Sequence, residues 1–257
     1  MRAAVVLAAH GAGDGSEANG IIRRHAQSLA AAGLFDEVAV AFRRGAPAYA
    51  EVLDGIAADR VAVVPFLAAG GWFCDVVLPR ELARNRRFPG VDLRVTRPVG
   101  ADPRMARIAL ERAEAAVRRE GLDPAATAVL FVGHGTARHA SSRSTTEEAA
   151  AAAAARKGFA AVSTAYLEES PSPEEALAAL GGLDVVAVPF FIGGGRHVEE
   201  DLRRRLGGAG DPGQGPDRRG TSRPARRVVI EEAVGMDARI AAIALDLARE
   251  ALQEEQP

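Results

Sequence analysis

Val185-Val-Ala-Val-Pro-Phe-Phe-Ile-Gly-Gly-Gly-Arg-His197 is the stretch that decides how this chain folds. Its first part is an apolar run rich in β-branched residues, the composition of a buried strand. The run passes through Pro189 and empties into Gly193, Gly194 and Gly195. Backbone bulk therefore disappears where the strand stops, and an imidazole is delivered at the opening. Glu199, Glu200 and Asp201 come next, acidic residues where the dipole of a new helix favours them. A strand, a glycine-rich turn and a helix in succession is how an open α/β sheet offers a place for a ligand. One such turn is a weak signal, but this chain contains it twice.

Arg60-Val-Ala-Val-Val-Pro-Phe-Leu-Ala-Ala-Gly-Gly-Trp-Phe73 repeats the device, and the copies align at a constant spacing of 124 residues. At that spacing His10-Gly11 falls on His134-Gly135, Ala41 on Ala165, Pro47 on Pro171, Glu51 on Glu175 and Leu82 on Leu206. Val99-Gly100 then matches Val234-Gly235 at a spacing of 135, so the second copy carries an insertion of 11 residues. The insertion lies within the Gly/Pro/Arg-rich stretch at about 207–224, which reads as a surface loop. Internal repetition of this length predicts two similar domains, 1–121 and 122–257, joined near Glu120 to Pro124. The differences between copies are equally informative. His197 faces Phe73 and Glu168 faces Arg44, so both halves keep a His-Gly pair while only the second keeps a second histidine and a carboxylate.

The predicted elements alternate strand and helix, which implies parallel sheets with right-handed crossovers. In the first half the strands are Ala3 to Ala9, Val38 to Phe42, Val61 to Leu67 and Val91 to Val95. Helices are expected over Glu17 to Ala32, Pro47 to Ile56, Trp72 to Arg84 and from Asp102-Pro103 to Arg118, the last opened by an N-cap with proline after it. In the second half the strands are Ala128 to Val132, Ala161 to Tyr166, Val185 to Phe191 and Val228 to Ile230. Thr145-Thr-Glu-Glu148 reads as the cap of an alanine-rich helix reaching Arg156. Further helices are expected over Pro173 to Leu180 and Asp237 to Leu252.

Composition narrows the function. A net charge of −2 gives no global basic field for nucleic acid. The single cysteine, Cys74, excludes a disulfide framework, a thiolate zinc site and a four-cysteine iron–sulfur cluster within one chain. No apolar run approaches the roughly 20 residues that span a bilayer. Met1 to Ala9 faintly imitates a signal peptide, but the repeat explains it as a strand, and the protein is read as cytoplasmic.

In such sheets the ends of the first three strands open on one edge, so the loops at His134, Glu168 and His197 converge. Two imidazoles and a carboxylate suit a borderline divalent metal, with coordination positions left open. Arg138, Arg143 and Arg196 lie close in sequence to these histidines and suit an acidic ligand gripped through its carboxylates. Gly-His134-Gly, Ala-Tyr-Leu-Glu168 and the stretch ending in His197 resemble the class II chelatases of the sirohydrochlorin chelatase (CbiX/SirB) type. The resemblance covers nearly the whole chain, as two fused copies.

That resemblance implies an α/β fold of two duplicated domains, each a four-stranded parallel sheet flanked by helices, with the site in the cleft between them. It implies ATP-independent insertion of a divalent metal, as substrate, into sirohydrochlorin for cobalamin or siroheme. Co²⁺ is favoured, with Fe²⁺ or Ni²⁺ as alternatives, and no organic cofactor is expected. His134 and His197 match the metal-binding histidines and Glu168 the site carboxylate, all three expected to be catalytic. Arg138, Arg143, Arg196, Arg44 and His10 are expected to contact the tetrapyrrole, and fusion of two copies favours a monomer.

Several residues have a plainer reading beside the functional one. Glu169 is a rival to Glu168, and His139 is an auxiliary base or an exposed loop residue. His25, between Arg23/Arg24 and the next turn, is expected to be solvated. Cys74 is expected to be a small buried hydrophobe. Trp72 and Phe73 are either an apolar wall under a macrocycle or core. A carrier that binds metal or pigment without turnover is the alternative from a different class. A hydrolase using His134 with Ser141 or Ser142 lacks a Gly-x-Ser-x-Gly elbow.

Overall fold

The computed structural model describes residues 2–13, 15–135, 141–193, 196–207 and 226–253, with the backbone alone for residues 141, 142 and 196–198. The strands of the first repeat are β1 (Ala3–Ala9), β2 (Glu37–Phe42), β3 (Arg60–Phe66) and β4 (Asp92–Val95). They form an all-parallel sheet in the order β2-β1-β3-β4. The second repeat gives β5 (Thr127–Gly133), β6 (Ala161–Tyr166), β7 (Asp184–Pro189) and β8 (Val228–Ile230), again all parallel in the order β6-β5-β7-β8. Residues Ala4 to Ala8 and Ala128 to Val132 are fully buried. A parallel strand covered on both faces has no solvent side, which is why β1 and β5 read as unbroken apolar runs.

The helices are α1 (Glu17–Ala31), α2 (Leu78–Leu82), α3 (Pro103–Arg119), α4 (Ser141–Ala155), α5 (Pro173–Ala179), α6 (Arg196–Gly207) and α7 (Ile240–Gln253). Contacts divide the chain into two compact units, and these are interleaved in sequence. The first comprises Met1–Met105, Ile192–Gly194 and Gly235–Pro257, and the second Ala106–Phe191 and Gly195–Val234. Thus α3, which follows β4, runs into the second unit. α7, which follows β8, packs on β3 and α1 in the first.

Three expectations from sequence are corrected. Pro47 to Ile56 is not a helix but a turn with a short 3-10 segment, Val52–Gly55. The matching stretch of the second repeat does form a helix, α5, because Ser172 caps it and Glu175 closes a capping box. Ala48 stands where Ser172 stands and has no oxygen to accept from the next turn, although Glu51 still accepts from the Ala48 N–H at 3.1 Å. The alanine-rich helix begins at Ser141 rather than at Thr145. Thr146 does not cap it; the side chain is buried against Gly133 of β5, and Ser144 bonds Glu148 at 2.9 Å across one turn.

The third correction concerns His25, which is 4% exposed rather than solvated. Its Nε2 lies 2.8 Å from the Gly235 carbonyl, and its ring packs 5.3 Å from Phe66. A carbonyl can only accept, so Nε2 carries the proton of that bond. Burial holds the imidazole below its ordinary pKa, against the opposing pull of this hydrogen bond. Cys74 is buried as expected, and burial raises its thiol to about 11. No helix among the described residues is long and apolar enough to cross a membrane.

Candidate active site

In the second unit β5 lies between β6 and β7, so the carboxyl ends of the three strands are neighbours. Gly133 pairs with Tyr166, and Val132 with Pro189. The ladder continues past the strands: Leu167 N–H donates to Gly133 at 3.1 Å and Glu168 N–H to the His134 carbonyl at 3.0 Å. His134 and Glu168 are therefore fixed side by side by backbone, not by chance rotamers. The His134 Nδ1 lies 3.8 Å from Glu168 Oε1, with both side chains well exposed at 61% and 59%. His134 also meets Phe191, the second residue after β7, edge-on at 6.5 Å. Gly135 completes the turn at φ +69, where a side-chain Cβ would stand 2.8 Å from Tyr166 Cβ. Both facts require glycine there.

Glu168 and Glu169 are separated by their partners. Arg143, in the first turn of α4, lies 2.9 Å from Glu147 and 3.3 Å from Glu169 and donates to the Ser170 carbonyl at 3.1 Å. Its guanidinium also covers the Tyr166 ring at 4.7 Å. The hydrogen bond to Glu147 is the largest influence keeping its pKa above the ordinary value. Glu169 is thus committed to Arg143, and Glu168 is the carboxylate that faces the imidazole. Position 197 falls in the first turn of α6, directly after the β7 loop. The side chains of His197 and Arg196, and all of Arg138 and His139, lie outside the described residues, as does the insertion after Gly207. Among the described residues no group of three or more His, Cys, Asp and Glu gathers at metal-binding range.

The first unit builds the same backbone turn with different chemistry. Arg44 N–H donates to the His10 carbonyl at 2.9 Å, as Glu168 does to His134. Gly11 sits at φ +71 with the Arg44 carbonyl where a Cβ would go. Phe73, in the position of His197, lies 5.5 Å from the His10 ring and 6.2 Å from Tyr49. Arg43 covers Phe73 at 5.5 Å. The sequence reading singled out Arg44 and His10 but passed over Arg43 and Tyr49. The Arg43-Arg44 doublet directly after a strand was the available signal.

Comparison with known proteins follows the two-copy pattern. The family model for CbiX matches residues 4–116 and again 128–251. A curated relative from Halobacterium salinarum, named a probable sirohydrochlorin cobaltochelatase, is 28% identical over 220 residues, 77% of this chain and 75% of its own length. Among solved structures, the multi-domain protein DR2241 of Deinococcus radiodurans, described as similar to chelatases, superposes with a TM-score of 0.79 at 27% identity. That match covers 99% of this chain, which spans only 56% of the DR2241 chain. The CbiX described as the terminal enzyme of siroheme biosynthesis in denitrifying bacteria superposes at 0.70 with 25% identity, covering 98% of this chain and all of its own.

Proposed function

The chain belongs to the CbiX family, as two tandem copies, and on that premise we propose that it is a sirohydrochlorin chelatase whose metal-handling residues are His134, His197 and Glu168. The divalent metal is a substrate, taken from water and handed on. His134 and His197 bind it through imidazole nitrogens and leave positions open for exchange. Metal entry must displace the pyrrole N–H protons, which requires a base. Glu168 is the base of this reading, taking the two protons in turn and releasing each to water from its exposed carboxylate, which faces His134 at 3.8 Å while Glu169 is held by Arg143. That juxtaposition is the single observation on which the assignment rests.

Arg138, Arg196, Arg44 and His10 are the tetrapyrrole contacts of this proposal. Arg143, already paired with two carboxylates, serves to position the Glu168–Glu169 turn. Cobalt is favoured over iron because the curated relative is named for cobalt, although the denitrifier CbiX is described for siroheme. Insertion needs no ATP in this scheme, since ligand exchange and proton removal drive it. The duplicated modules are 1–121 and 122–257, and their fusion in one cytoplasmic chain favours a monomer.

An anaerobic absorbance assay with sirohydrochlorin and Co²⁺, Fe²⁺ or Ni²⁺ in turn tests the proposal. The expected result is insertion well above the spontaneous rate, reduced about 100-fold or more in His134→Ala and His197→Ala. Wild-type rates in both variants would remove these residues from the chemistry. No acceleration with any metal would overturn the chelatase itself.

A further inference from the structure

In the first unit His10 is kept, but Glu168 and His197 give way to Arg44 and Phe73, and these stand beside Arg43 and Trp72. Trp72 is 52% exposed and Val76, one helical turn on, is 44% exposed. Both belong to the turn after β3, whose inward positions are taken by Cys74 and Val77. Trp72 is therefore not needed to close the core. Phe73 beside it packs on the core from below and carries the Arg43 guanidinium 5.5 Å above its ring. Arg44 follows, fixed by its backbone bond to His10. Arg43 and Arg44 are exposed and, among the described residues, form no ion pair. Arg143 of the second unit, by contrast, is held by Glu147 and Glu169. The turn itself contributes a single carboxylate, Asp75.

An exposed indole beside two guanidiniums that form no ion pair among the described residues fits a flat ring bordered by carboxylates. The exposed Trp72 indole covers the ring, Phe73 backs the Arg43 guanidinium that lies over it, and the guanidiniums of Arg43 and Arg44 grip the acidic side chains in bidentate fashion. We propose that Trp72, Phe73, Arg43 and Arg44 form a tetrapyrrole-binding surface on the first unit that works without metal. This rests on the chelatase reading and extends it: after duplication one copy kept the metal-binding groups, and the other exchanged them for groups that hold the pigment. At the aligned positions Trp72 stands for Arg196, Phe73 for His197, Arg43 for Leu167 and Arg44 for Glu168. Each change in the first copy removes a metal ligand or adds aromatic area or positive charge at the turn, Trp72 in place of Arg196 being the one that trades charge for ring.

Trp72 is the only tryptophan of the chain, so its emission reports on this surface directly. Metal-free sirohydrochlorin is titrated anaerobically into the full-length protein, and its binding is followed by Trp72 quenching and by pigment absorbance. The expected result is saturable quenching that weakens with added salt, with Kd raised about 10-fold in each of Arg43→Gln and Arg44→Gln. Trp72→Ala, read by absorbance, should also bind more weakly. His134→Ala, which loses metal insertion, should still quench. If the wild-type chain inserts metal while the Arg43, Arg44 and Trp72 variants bind pigment as it does, the first-unit surface is overturned and the chelatase stands. If the wild-type chain neither binds pigment nor inserts metal, the chelatase reading falls and this surface falls with it.

Discussion

Glu168 and Glu169 are adjacent in sequence and chemically identical, yet their surroundings give them different work. Glu169 answers the Arg143 guanidinium, whereas Glu168 faces an imidazole. Glu168→Gln is therefore expected to slow metal insertion by about 100-fold, and Glu169→Gln by no more than a few-fold. Steady-state rates for the two variants side by side check the distinction. Equal losses would make the pair one acidic patch. His25 supplies a second prediction at this scale. Its folded pKa lies below the unfolded value of 6.5 because burial disfavours the imidazolium. Below that value the unfolded chain binds a proton that the folded chain does not, so stability is full above pH 6.5 and declines as pH falls through it. The urea midpoint of the first unit, followed by Trp72 emission, should drop between about pH 7.5 and 5.5. His25→Gln should lessen that drop. The sequence could not announce this buried histidine. Its partner carbonyl, Gly235, is 210 residues away, and the arginines beside it looked like a solvated face.

At the scale of elements, strands were far more legible than helix boundaries. A central parallel strand leaves an unbroken apolar run, and both copies of each run reinforced one another. Helix starts depend on single capping atoms, and there the copies diverge. Ser172 accepts from Glu175 N–H and Glu175 accepts from Ser172 N–H, so α5 forms. With Ala48 in the same place only half of that exchange survives, and the chain makes a 3-10 turn. Ser172→Ala is accordingly expected to cost about 1 kcal/mol, measurable as a lower urea midpoint for the second unit. It should leave metal insertion little changed at 25 °C, because α5 carries none of the proposed ligands. A midpoint equal to wild type would mean that the box adds nothing beyond proline at N1. The misplaced start of α4 has the same origin. Thr145-Thr-Glu-Glu148 has the letters of a cap, but burial of Thr146 against β5 gives it a packing role inside the helix.

The whole molecule holds what linear reading could not supply, namely which helix covers which sheet. Repeats mark duplicated sequence, and they say nothing about where the last helix of each copy docks. α7 returns to the first unit, where Ile240, Ile243, Ala244 and Leu247 are buried. Polar contacts hold it as well. Asp102 is 2% exposed on its side chain and binds both Arg97 and Arg104, which reach Glu250 and Asp246 of α7. Burial alone would raise the Asp102 carboxyl, but the two arginines outweigh it and lower its pKa to about 2. Each buried isoleucine or leucine contributes roughly 1.5–3 kcal/mol. Three of them sum to an appreciable part of the roughly 5–15 kcal/mol that keeps a domain folded. Truncation after Met236 is therefore expected to unfold the first unit although it removes nothing from the first repeat. Hydrogen exchange should show β3 and α1 losing protection while β5, buried within the second unit, keeps it. Retained protection in β3 would mean that the first repeat is a self-sufficient domain and that α7 is an accessory. Loss in β5 to the same degree would mean that the two units unfold as one. Selective loss in the first unit would establish that the first repeat is stabilised by α7 of the second copy, and that the loops carrying Arg43 and Arg44 after β2 and Trp72 and Phe73 after β3 depend on the C-terminal end of the sequence for their scaffold.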